Sequence, residues 1–564
     1  MSGRVPYEKK IVKRVKENFN GEEIEVIYRN ARPPEEIPNI YPPKNPHTEI
    51  VDDILVEYDV EVPMRGGNTI LADICRPDDG KKVPALIAWS SGGKCYNFAR
   101  KGGSGGLVPD GACSDLIKQE GADPGFWCHY GYAVINPDSP GVNNVDGDIK
   151  FSGPSDAEDC YDLIEWAAAQ PWCNGRVGLH GTAFAGISSW FTAALQPPHL
   201  AAIAPWEASF DLYRAFLVRG GVLDNEMMEH VMTKMHGRNA VEDVVAMANE
   251  YPTMNGYWQS KIADISKVNV PVYMTASYNI FHCQSLEAWN LLPDSIKDKK
   301  WLRTTNTVSW RDLYNRDSLA DLKLFFDRYL KNIYNGWEFT PQVRLTVFDS
   351  KGDQVARPEK AWPPVCERFE KLYLNAADGT LGAQNPAEEA QTSYRIAEDG
   401  SVQFNYVFDQ DTEILGYGKL RVYVEADGSD DMDLFISVNR FTAEGKPIIV
   451  PWVGQPHGGR SGLIRVSHRA LDEEKSTENK PVQSHQCIEK LSPGEIVPVD
   501  IPLWPFGFVW HKGEQLRLEI KGTPKAAAQT VMTQAKWGTV NAGTHIFHTG
   551  GQYESYLLLP ETTI

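Results

Sequence analysis

The chain has 564 residues, more than one hydrophobic core accommodates, so two or three domains are expected. A formal net charge of −19 speaks against a nucleic acid or an anionic membrane surface as partner. Nine Cys without CxxC spacing, a charged N-terminus with no apolar core, and the absence of any apolar run of membrane-span length point to a cytoplasmic, reducing compartment. They speak against a disulfide scaffold, a secretory signal and a membrane span.

Residues 1–50 are polar and proline-rich, ending in RPPEEIPNIYPPKNP. They read as an extended arm that wraps or links, or as a partly disordered tail. From Val51 the pattern changes. VEYDVEVPM alternates like a strand, and Met64 to Pro77 reads as two strands around a Gly-rich turn. VPALIAW (Val83 to Trp89), YGYAVINPDSPG (Tyr130 to Gly141) and LAAIAPW (Leu200 to Trp206) are continuous apolar runs, the signature of parallel strands buried on both faces. Ser155 to Gln170 has apolar spacing near 3.6 behind a cap-like Ser and predicts a helix. Between these lies GRVGLHGTAFAGISSW (Gly175 to Trp190), a buried strand, a sharp turn and a helix. Residues 212–265 are helical and rich in Met, suited to a lid or simply to filling core space. Strands resume at Val270 to Tyr278 and Lys299 to Thr305, and Ser318 to Asn332 is an amphipathic closing helix. Alternation of this kind predicts a doubly wound parallel sheet. From residue 341 short strands and turns dominate, the pattern of a jelly-roll β-sandwich. The expected organisation is an arm (1–50), an α/β core (51–211 and 266–340), a helical cap (212–265) and a sandwich (341–564).

These motifs, together with Gln170-Pro171-Trp172, Pro197-Pro198-His199-Leu200, Asp211-Leu212-Tyr213-Arg214, Gly220-Gly221, Val466-Ser467-His468-Arg469 and Tyr556 to Pro560, resemble the cocaine-esterase-like (CocE/NonD) hydrolases, related to the X-Pro dipeptidyl-peptidases. The resemblance implies an α/β-hydrolase core with a helical cap, a C-terminal jelly-roll domain, and a Ser, Asp and His triad acting on ester or amide bonds between them.

The residues the triad needs are missing from the places the resemblance assigns them. The centre of the elbow GTAFAG is Ala183, and a methyl group cannot attack a carbonyl. The segment after Val270 to Met274, TASYNIFHC, holds no carboxylate, and Asn279 or Ile280 stands at the acid's place. TTNTVSW follows the next strand, and no His occurs between His282 and His457. The oxyanion-hole Tyr implied after VPALIAW falls on Gly92, with Tyr96 four residues on, while the backbone N–H of Phe184 survives as a donor. Arg65-Gly66-Gly67 departs from the family's RDG in the same way. Natural loss of the triad explains several independent departures better than an introduced Ser-to-Ala change.

Smaller and less charged residues leave a roomier, more apolar pocket, suited to a bulky hydrophobic small molecule. The expected function is therefore a non-hydrolytic step on such a molecule: cyclisation, isomerisation or elimination. The alternatives are a hydrolase with a substitute nucleophile or activated water, a binding protein without catalysis, and an engineered inactive esterase. Catalytic candidates are the Phe184 N–H, Tyr278, His282 and Lys94. Substrate-binding candidates are Ala183, Ser91, Gly92, Tyr96, Asn279, Thr305, Trp310 and Glu207, with Ser90, Cys95, Asn143 and Cys283 nearby. Cys95 is the candidate replacement nucleophile. Glu207 and Asp211 are expected to brace the lid junction, His180 to pack in the core, and Ser188 and Ser189 to serve packing. No metal cluster, nucleotide loop or flavin fingerprint appears, so no cofactor and no metal are expected. Homo-oligomerisation is left open.

Overall fold

Strands of the α/β core form one continuous eleven-stranded sheet in the computed structural model, which describes residues 7–33, 36, 42–95, 108–118, 120–278, 285–452, 455–457, 459–523 and 538–564. Its spatial order is Gln354–Glu359, Val343–Val347, Lys300–Thr305, Val272–Ser277, Leu200–Trp206, Cys173–Thr182, Val83–Ile87, Ala133–Asp138, Thr69–Pro77, Ile54–Pro63 and His47–Val51. Neighbours from Val343–Val347 to Ala133–Asp138 run parallel, and the strands at both ends are antiparallel. The central strands are buried along their whole length, as their unbroken apolar runs require.

Helices cover both faces. Pro154–Ala168 starts behind Gly153, with Pro154 at the first helical position; Ser155 falls inside the helix and is not its cap. The closing helix is Arg316–Leu330, capped by the Asn315 side chain, which accepts from the N–H groups of Asp317 and Ser318. Its apolar stripe buries Leu319, Leu322, Phe325, Phe326 and Leu330. Phe326 and Leu330 lie so close to Gly178 of the central strand that a methyl there would come within 2.9 Å of Leu330. That glycine is what lets the helix seat on the strand.

Residues 11–30 differ from the expected extended arm. Ile11–Phe19 and Glu22–Asn30 form a β-hairpin whose second strand pairs with Ala240–Glu242 of the cap. The apolar run in EEIEVIYRN carries this strand: Ile24, Val26, Ile27 and Tyr28 are buried, and the buried Arg29 guanidinium bonds Glu229 and Asp243. The cap mixes short helices, Asn225–Met232, Val244–Glu250 and Gly256–Gln259, with two-residue strands. Met227, Met228, Met232, Met235 and Met247 are all buried and fill its core.

The boundary at residue 341 also shifts. Val343–Val347 pairs with Lys300–Thr305 and so completes the α/β sheet. The sandwich proper begins with Arg368–Asn375 and forms a second eleven-stranded sheet ending in Tyr556–Thr563, with Val497–Trp510 paired on Thr412–Asp427. Phe348 links the two units through backbone hydrogen bonds to Gly507 and Val509. Among the described residues no helix is long and apolar enough to cross a membrane, and no group of His, Cys, Asp and Glu is arranged to hold a metal ion.

Candidate active site

The central strand Cys173–Thr182 turns directly into the helix Ala183–Ala194. Ala183, at the junction, has φ +49°, a left-handed conformation that a residue with a β-carbon adopts only under strain. Close packing holds it there. A methyl on Gly181 would meet the Glu120 carbonyl at 2.6 Å and the Ala185 β-carbon at 2.4 Å, and one on Gly186 would meet the Ala208 β-carbon at 2.6 Å. This is the strained turn that presents a nucleophile in an α/β-hydrolase, and it presents a methyl group. Ala183 and Phe184 are partly exposed, whereas every residue from Ala185 to Ala193 is buried, so the opening lies at the turn itself. The Phe184 ring meets Phe151 and Phe216 edge to face and makes an apolar wall there.

Glu120 stands over this turn and was not among the residues picked from sequence. It too is strained, with φ +65°, in a tight turn closed by the Gly121 N–H to the Lys118 carbonyl. Its own carbonyl accepts the Thr182 N–H at 3.0 Å. Its carboxyl lies near the Trp310 side chain and the Phe184 backbone N–H, both of which favour its ionised form. Burial pushes the carboxyl up to about 7, against the pull of Trp310, Phe184 and the Lys118 ammonium. The donor that would stabilise a substrate oxyanion in acyl transfer thus lies close to a carboxyl group of the protein. A carboxyl half ionised near neutral pH is suited to proton transfer in either direction.

A second carboxylate closes the floor. Glu207 follows Leu200–Trp206, has φ +44° and is fully buried. Ser277 donates to it at 2.9 Å and Thr305 lies 3.4 Å away, so the ends of three adjacent strands meet on this side chain. Sequence reading placed Thr305 and Glu207 in the substrate pocket; here they hold one another beneath it. Asp211 braces the cap junction, pairing with Arg214 at 2.9 Å.

Lys94 has a structural task, not the catalytic one expected of it. Its ammonium lies 2.6 Å from Asp73 and 2.9 Å from Asp59, and its N–H donates to Asp138. Those carboxylates hold its pKa far above the ordinary lysine value despite burial, so it does not exchange protons near neutral pH. Asn143 donates to the same Asp138 at 2.9 Å. Tyr278 is likewise committed to packing. Its ring, buried against Phe348, sits where a β-carbon on Gly507 would fall 2.5 Å from it, and its hydroxyl accepts from Thr304 at 3.4 Å. It joins the core to the sandwich. Burial raises the Cys95 thiol to about 12, which leaves no thiolate for attack at neutral pH. Ser90 and Ser91 are buried just beyond the end of Val83–Ile87, Gly92 is partly exposed, and Trp310 is partly exposed beside Glu120. Tyr96, Asn279, His282 and Cys283 lie outside the described residues.

The expectations for the remaining residues agree with their surroundings. His180 hydrogen-bonds the Ala204 carbonyl, packs on Trp206 and Phe326, and is held neutral by burial, with its pKa lowered to about 4. Ser188 lies 3.5 Å from Asp156, and Ser189 donates to the Ala185 carbonyl.

Two family models match the chain: the X-Pro dipeptidyl-peptidase (S15 family) over residues 66–243 and the X-Pro dipeptidyl-peptidase C-terminal non-catalytic domain over residues 335–558. The fold is similar to a CocE/NonD family hydrolase from Staphylococcus aureus, with a TM-score of 0.85 and 31% identity over 92% of this chain and 96% of that one. The cocaine esterase of Rhodococcus sp. (strain MB1 Bresler) is 22% identical over 90% of this chain and 98% of its own length. An alpha-amino acid ester hydrolase shares the fold, with a TM-score of 0.68 at 15% identity, covering 92% of this chain and 99% of its own.

Proposed function

The chain belongs to the CocE/NonD family of α/β-hydrolases, and on that premise we propose that it uses the scaffold for a non-hydrolytic step on a bulky hydrophobic small molecule. The step is a cyclisation, isomerisation or elimination, and the triad is lost. The observation that carries this reading is the Glu120 carboxyl, poised near pH 7, seated over an elbow whose centre is Ala183.

As carboxylate, Glu120 takes a proton from the substrate, and the Phe184 N–H and Trp310 side chain orient its oxygens. As carboxylic acid it returns that proton at a second atom, which isomerises the substrate, or gives it to a departing hydroxyl, which leaves as water. The aromatic wall of Phe151, Phe184 and Phe216 favours an apolar ligand and excludes water that would compete. The step draws on these side chains within a cytoplasmic protein.

A second reading has one observation in its favour. The relatives named above are hydrolases, and a carboxylate near neutrality can activate water for direct attack on an ester. Incubation of the protein with a small-molecule extract of its native cells in 18O-labelled water separates the two. The proposal expects a product isomeric with its substrate, or lighter by one water, without solvent oxygen, and absent with Glu120→Gln. A pair of cleavage products that together exceed the substrate by one water, with labelled oxygen in the acid fragment, sinks it in favour of hydrolysis. No converted metabolite at all sinks it in favour of a binding protein.

A further inference from the structure

Lys118 is almost completely buried, and among the described residues its ammonium forms no ion pair with a carboxylate. Its Nζ donates instead to the Ala88 carbonyl at 2.7 Å and the Pro137 carbonyl at 3.3 Å. These carbonyls stand at the ends of the adjacent strands Val83–Ile87 and Ala133–Asp138. A buried cation whose partners among the described residues are two backbone carbonyls is expensive to keep. Two residues on, the same turn carries Glu120. The turn is clamped at three points: Lys118 Nζ to the strand ends, Gly121 pressed on Ala88, and the Glu120 carbonyl on the Thr182 N–H.

We propose that Lys118 is a positioning residue for Glu120: its ammonium pins the turn that holds the carboxyl over the elbow and supplies the positive charge against which that carboxyl ionises. The inference rests on Glu120 as the proton-transfer group. Charged and titratable groups facing Lys118 are Asp138 from the neighbouring strand, Glu120 from its own turn, Cys160 from the helix Pro154–Ala168, and Cys95. Burial lowers the ammonium to about 8, with Asp138 and then Glu120 opposing that shift, and the ammonium in turn draws Glu120 down. Two buried groups that titrate near neutrality and feel one another exchange their stability as a pair.

The test reads the Glu120 titration by infrared difference spectroscopy, taking Glu120→Gln as the blank. Lys118→Gln keeps an amide that can reach both carbonyls but removes the charge, and Lys118→Arg keeps the charge. The proposal expects Lys118→Gln to raise the Glu120 midpoint, so that its ionised fraction at pH 7 falls, and expects Lys118→Arg to leave it in place. An unmoved midpoint in folded Lys118→Gln overturns it. Should that variant not fold, linkage supplies the reciprocal reading: Glu120→Gln must lower the Lys118 midpoint, followed by NMR of 13C-labelled lysine, and an unmoved lysine overturns the proposal equally. A wild-type Glu120 titrating at an ordinary carboxylate value removes the functional reading itself. A midpoint near 7 that ignores Lys118 removes only this inference.

Discussion

Replacing Glu120 by Gln should make the protein more stable at alkaline pH while abolishing its chemistry. The carboxamide keeps the shape and an acceptor for the Phe184 N–H and Trp310, and it never ionises. The folded state holds the Glu120 proton more tightly than the unfolded chain does, since burial raises the carboxyl from an ordinary 4.5 to about 7. Stability from this group is therefore fully present below pH 4.5 and is lost as the pH rises through 7. At about 1.4 kcal/mol per pH unit the full gap corresponds to about 3 kcal/mol. Glu120 is partly exposed, and discounting for solvent leaves about 2 kcal/mol. Urea denaturation of wild type and Glu120→Gln at pH 5 and pH 8.5 measures it. The variant should be more stable by about 2 kcal/mol at pH 8.5, and the difference should shrink to less than half of that by pH 5. A constant difference between them at both pH values would falsify the assignment of a raised carboxyl to this position.

Three further outcomes follow from the geometry. Ala183→Ser places a hydroxyl at the elbow; on the proposed reading no histidine serves it, and a serine nucleophile without its base loses about as much as the whole triad, on the order of 10⁶-fold in rate. The variant should stay unlabelled by a fluorophosphonate probe, and labelling at the rate of an active serine esterase would show a base the account lacks. Lys94→Met leaves Asp59 and Asp73 without their cation and should lower stability by about 3–5 kcal/mol in thermal unfolding at pH 7, a loss absent if Lys94 were a proton donor alone. Gly181→Ala forces a methyl to within 2.6 Å of the Glu120 carbonyl and should destabilise by about 1–3 kcal/mol, displacing the Glu120 turn; a wild-type melting temperature would contradict the packing described.

Much of the fold was legible in the sequence because parallel strands buried on both faces leave unbroken apolar runs. Leu200–Trp206 was read without error for that reason. The elbow was legible because its two glycines are fixed by contacts closer than a methyl allows. Glu120 was not. It lies in LIKQEGADPG, a polar stretch with no periodicity, and only Lys118 and the Thr182 N–H, brought in from three strands, set it over the elbow. Lys94 misled for a related reason. A lysine beside a pocket strand reads as a reagent until Asp59 and Asp73, from the neighbouring hairpin, are seen closing on it. Tyr278 misled because its partner, Gly507, lies more than two hundred residues away in the sandwich. The hairpin at residues 11–30 was missed because its first strand is largely exposed and charged and its second buries Val26 to Arg29 in succession, so neither shows a period-two pattern.

The central claim is that a carboxyl titrating near neutrality occupies the place of a nucleophile and its oxyanion donor. Infrared difference spectra of wild type minus Glu120→Gln across pH 4 to 9 test it most directly. The account predicts one carboxyl band that disappears with a midpoint of about 7, in step with a change in Trp310 fluorescence. A band that has already gone by pH 5, with Trp310 indifferent to the titration, would contradict it.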